Sequence, residues 1–159
     1  MTVNEADRLF AEFEGAALQH FEYLKKDYGF GDPEIGGEGI EGWVLFKNPT
    51  TAVRVMYEIG ASPWVQLLRL KPGTRGTEGA EVSSLELLLV ERAPALGGNE
   101  HGIGELSAQK LADIVAEKAR MLKVFGEDVL KGDFHVFTRL AELAEENRQR
   151  REKDLLKGR

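Results

Sequence analysis

The chain has 159 residues, a net charge of −6, 42% hydrophobic and 30% charged residues, and no cysteine. That composition describes a globular protein with enough chain for an ordinary core, and it excludes a disulfide framework and any cysteine-ligated zinc or iron–sulfur centre. No stretch approaches 18 apolar residues and MTVNEADRLF has no basic-then-apolar leader, so neither a membrane span nor a signal peptide is expected, and a cytoplasmic location is.

Charge is unevenly spread. Residues 1–42 carry 10 acidic and 3 basic side chains, residues 43–133 carry 12 and 11, and residues 134–159 carry 5 and 7. An acidic front end argues against nucleic-acid binding, which needs clustered lysine and arginine to displace counterions. It can instead steer a basic protein partner.

Taken in order, residues 3–28 read as one long amphipathic helix. Val3, Ala6, Leu9, Phe10, Phe13, Ala17, Phe21, Leu24 and Tyr28 recur mostly at spacings of three and four, a stripe that faces a core. Thr2-Val3-Asn4-Glu5 fits a capping box, and Gly29 sits where a left-handed C-terminal cap belongs. Residues 29–42, with six glycines and a proline, read as a loop; they lack the G-x-x-x-x-G-K-[ST] of a phosphate cradle, and their carboxylates would repel a phosphate.

The stretch Trp43–Leu70 organises the chain as three β-type segments. Val53, Val55, Tyr57 and Ile59 alternate with Arg54, Met56 and Glu58, the period of a half-buried strand, which makes Val53–Ile59 the central strand. Asn48-Pro49-Thr50 and Gly60-Ala61-Ser62-Pro63 are turn signals, and connections this short join antiparallel neighbours. Residues 71–79 form a second loop. Residues 82–92 fit either a short buried helix opened by a Ser83-x-x-Glu86 capping box or a fourth strand.

Residues 95–104 form a third loop, where Asn99, Glu100 and His101 cluster. Ser107 is the expected N-cap of a helix reaching about Lys123, with Leu106 stapling onto Leu111. A turn over 125–132 leads to a last helix with Asp133 as N-cap, and Phe134, Phe137, Leu140, Leu143 and Ala144 facing inward. The expected organisation is one α+β domain over residues 1–146: an antiparallel meander of three to four strands packed against a long N-terminal helix and C-terminal helices. Residues 147–159 follow as a charged, fraying helical tail.

No motif for catalysis stands out. His20, His101 and His135 have no H-x₃-H or H-E-x-x-H spacing, and no G-x-S-x-G elbow surrounds Ser62, Ser83, Ser84 or Ser107. No metal, cofactor or catalytic residue is therefore expected. The binding residues singled out are Glu5, Glu12, Asp32 and Glu34 as an acidic surface, Trp64 and Arg75 as interface anchors, and Glu100 with His101 on the third loop.

The spacing F-x-x-F…F-x-Y-L-x-x-x-Y-G-F between Phe10 and Phe30, and the phrase Phe125-Gly126-Glu127-Asp128-Val129-Leu130-Lys131-Gly132-Asp133-Phe134, resemble a loose group of small, uncharacterised bacterial proteins. Some of these look like immunity proteins of polymorphic toxin systems. The resemblance implies a small, non-catalytic α+β protein that occludes a protein partner. The expected function is thus a cytosolic protein-binding domain of immunity or adaptor type. The alternative is a small enzyme or ligand-binding protein with a pocket between sheet and helices.

Overall fold

The computed structural model describes residues 2–96 and 107–158. Its centre is a five-stranded antiparallel sheet in simple sequential order: β1 (Glu34–Glu38), β2 (Glu41–Lys47), β3 (Thr51–Glu58), β4 (Trp64–Arg69) and β5 (Glu81–Ser84). The central position of β3 and the alternation of its side chains agree with the sequence pattern. Val53, Val55 and Tyr57 are buried on one face, with Val44 and Phe46 of β2 and Val65 and Leu67 of β4 beside them. The turns are built as their residues require. Asn48 Oδ1 accepts from the backbone N–H groups of Thr50 (3.0 Å) and Thr51 (2.8 Å), which closes the β2–β3 turn.

The sheet has one strand more than expected at its leading edge, within the glycine-rich segment. Gly36 pairs with Trp43, and a Cβ at Gly36 would overlap the indole folded across it. Gly37 pairs with Gly42, where a Cβ would stand 2.8 Å from the Glu41 carbonyl oxygen. The glycines therefore permit a close approach between strands and leave no apolar alternation to read. Gly39, at φ +62°, opens the two-residue turn between Glu38 and Glu41, the conformation a II′ hairpin needs at that position.

Among the described residues, six helices accompany the sheet: α1 (Val3–His20), α2 (Tyr23–Tyr28), α3 (Leu85–Arg92), α4 (Ala108–Phe125), α5 (Glu127–Leu130) and α6 (Phe137–Lys157). Their apolar stripes meet the inner sheet face in one core that includes Phe13, Phe21, Leu24, Leu85, Leu122 and Leu140. The outer sheet face is covered too. Leu45, Ala52 and Leu68 are buried there with Trp43, Leu70 and Ala80 against them, and Arg54 reaches Gln66 (3.1 Å) and Thr77 (3.0 Å) of the β4–β5 loop. The half-buried sheet of the sequence pattern is therefore apolar on both sides.

Four local expectations change. The long N-terminal helix is two helices: the chain turns at Phe21–Glu22, so that Phe21 enters the core and the Tyr23 hydroxyl donates to the Ala119 carbonyl of α4 at 2.7 Å. Residues 82–92 are strand and then helix, capped by Ser84 rather than Ser83, with Leu87 N–H donating to Ser84 Oγ. The 125–132 segment holds a helical turn, α5, and Asp133 does not cap α6: its carboxylate receives His135 N–H, and α6 starts four residues later. Ala144 is exposed rather than inward-facing, and so is Val3 in the first turn of α1. The Thr2–Glu5 capping box, the left-handed Gly29 cap and the Ser107 cap all form as read. Leu106 lies outside the described residues.

Candidate ligand-binding cleft

Strand β5 ends one residue too early to finish pairing with β4. Its last partner pair is Ser84 with Gln66, which leaves the Val65 N–H at the sheet edge with no ladder acceptor from β5. The chain turns into α3 here, and the second residue of that helix, Glu86, swings its side chain back. Glu86 Oε1 accepts the Val65 N–H at 2.9 Å. The carboxylate thus stands in for the missing strand residue, which satisfies a backbone group that would be costly to leave unpaired.

The other oxygen has no such role. Glu86 Oε2 is withdrawn from solvent and has no hydrogen-bond partner among the described residues. The side chain as a whole keeps 36% of its surface exposed, so the shielding belongs to the carboxylate end and not to the stem. The nearest cation is Lys118 Nζ of α4, at 3.6 Å, itself only 18% exposed. Burial pushes the Glu86 carboxyl above its usual range, against the pull of Lys118 and the Val65 N–H.

These two residues line a cleft of about 680 Å³ bounded by the β3–β4 turn, α3, α4 and α6. Leu87 and Val90 of α3, Ile114 and Met121 of α4, and the Trp64 ring give it apolar walls. Arg148 and Arg151 of α6 border it on the remaining side. Arg148 is occupied by Glu145 and Glu152 on its own helix, whereas Arg151 has no carboxylate within reach among the described residues. Size, apolar walls and a few convergent polar groups are the ordinary attributes of a small-molecule site.

Of the binding residues singled out from the sequence that lie among the described residues, Trp64 alone lines this cleft. Glu5 serves its own helix, receiving the Thr2 N–H at 3.1 Å, and Glu12 is exposed on α1. Asp32 pairs with Lys25 at 2.7 Å and Glu34 with Lys47 at 3.2 Å, so part of the acidic front is neutralised. Arg75 is exposed in the β4–β5 loop. Glu100 and His101 lie outside the described residues. The cleft residues missed by sequence reading left one legible trace. Lys118 interrupts the apolar stripe Leu111, Ile114/Val115, Met121/Leu122 at a position where an inward-facing helix side chain belongs.

Asp128, Asp133 and His135 form a separate cluster with mutually close ligand atoms. Its positive charge is supplied from within the protein. Arg92 of α3 donates two hydrogen bonds of 2.6 Å to the two Asp128 oxygens and a third to the Phe125 carbonyl, and His135 Nδ1 lies 2.8 Å from Asp133. The Arg92 guanidinium holds the Asp128 carboxyl below its usual range. This is a clamp joining α3, α5 and the approach to α6.

No family model, curated protein or solved structure matches the chain. Among the described residues, no helix is long and apolar enough to cross a membrane.

Proposed function

We propose that this protein binds a small, partly apolar molecule in the cleft between the sheet edge and α3, α4 and α6. The observation that carries the reading is the cleft of about 680 Å³ between sheet and helices, apolar on its walls and holding the Glu86–Lys118 pair. A lysine and a glutamate set this deep cost more to desolvate than an apolar pair of similar volume. Their presence is accounted for structurally on one side only, by the Val65 N–H; Lys118 has hydrogen-bonding capacity to spare.

Ala144 borders the cleft from α6 and is exposed, so a large side chain there fills the opening without entering the core. The uncharged fluorophore N-phenyl-1-naphthylamine should bind the wild type saturably at one site, and Ala144→Trp should weaken it at least tenfold with an unchanged melting temperature. Absence of saturable binding to the wild type, or equal binding to both proteins, contradicts the reading.

A second reading, a protein-binding domain of immunity or adaptor type that occludes a basic partner, draws on the exposed Glu5, Asp7 and Glu12 of α1. It needs no cleft, and a partner of that kind would be steered to α1, away from the residues described above.

A further inference from the structure

We infer that the ligand of this cleft is an anion: a small molecule with one acidic group, such as a carboxylate or sulfonate, on an apolar body. The inference rests on the cleft being a binding site and goes on to name what it selects. Three cations border the cleft, Lys118, Arg148 and Arg151, against two carboxylates, Glu86 and Glu117. Their pairings decide what is left for a ligand. Arg148 is held by Glu145 and Glu152, and Glu117 lies 3.9 Å from Arg120. Lys118 faces one carboxylate at 3.6 Å, too long for a hydrogen bond, so its ammonium hydrogens retain donor capacity toward the cleft. Arg151 has its whole fork of donors available among the described residues.

The shielding of Glu86 Oε2 points the same way. A cationic or donor-bearing ligand would have to reach an oxygen that solvent does not reach. Lys118 lines the cleft and keeps 18% of its side-chain surface exposed, which leaves it accessible to an acidic group. The apolar body then lies along Leu87, Ile114, Met121 and Trp64.

The test uses two probes with the same apolar skeleton, 1-anilinonaphthalene-8-sulfonate and the uncharged N-phenyl-1-naphthylamine, titrated into the full chain and into Lys118→Met and Arg151→Glu. Each substitution should weaken the sulfonate at least fivefold and leave the uncharged probe within twofold of wild type. Arg151 is exposed on α6, so its variant carries little risk to folding, and retention of the uncharged probe shows that the cleft is intact. Equal effects on both probes, or none on the sulfonate, overturn the anion inference while leaving the cleft as a binding site. Failure of both probes to bind the wild type removes the site itself.

Discussion

Glu86 is where structural and functional demands meet in one side chain. Its Oε1 completes the β4 edge, and its Oε2 sits shielded beside Lys118. Burial raises its pKa in the native protein, so the folded state holds that proton more tightly than the unfolded chain does. The sign follows from linkage. The ionised form costs native stability, and the cost is absent below the usual glutamate range of about 4.3. It grows as pH rises from there through the raised native value and is complete above it. Glu86→Gln keeps an acceptor for the Val65 N–H and cannot ionise. The wild type should therefore lose stability relative to this variant between about pH 4 and about pH 8, the opposite of the behaviour of a carboxylate stabilised by a partner. Chemical denaturation of both proteins at the two pH values measures it. A wild type that gains relative to the variant would show that Lys118 outweighs burial. Asp128 is the contrasting residue: its pKa is lowered by Arg92, so its contribution is present above the usual carboxylate range and is lost as pH falls through the lowered value.

At the scale of elements, β1 shows what a periodic pattern cannot reveal. The strand Glu34–Glu38 has the sequence EIGGE, and its pairing depends on the missing side chains of Gly36 and Gly37. Gly36→Ala should place a methyl group against the Trp43 indole and destabilise the protein by about 1–3 kcal/mol, the usual cost of overfilling a packed site. Urea denaturation checks this, and the same substitution in a Trp43→Leu background should cost much less. An equal loss in both backgrounds would mean that Trp43 does not set the requirement for glycine. The helix boundaries teach a related lesson. The stripe from Phe13 through Tyr28 keeps helical spacing across the break at Phe21–Glu22, because a tight turn can preserve which residues face inward. Ser83 and Ser84 are adjacent potential caps and both pair with β4; sequence spacing favoured Ser83, whereas Ser84 Oγ accepts the Leu87 N–H.

For the molecule as a whole, most of the fold was legible. The α+β class, the antiparallel sheet, the central place of β3 and its buried Val53–Val55–Tyr57 face follow from alternation and turn chemistry, both local properties. The cleft was much less so. Its residues come from the β3–β4 turn, α3, α4 and α6, separated by up to 89 positions between Ser62 and Arg151, and only the fold brings them together. Lys118 in an apolar stripe was the one local sign, and among the described residues Trp64 is the one expected binding residue that borders the cavity. The acidic front read from charge counts is partly cancelled by lysines that the fold brings to Asp32 and Glu34.

The central claim, that the cleft is where this protein engages a small molecule, is tested most directly by residue-resolved backbone amide chemical shifts during titration with 1-anilinonaphthalene-8-sulfonate. Saturable shifts confined to Trp64, Leu87, Val90, Ile114, Lys118 and Met121, with α1 and β1 unmoved, are the predicted result. Shifts scattered over the surface, or centred on Glu5 and Glu12 of α1, would contradict it.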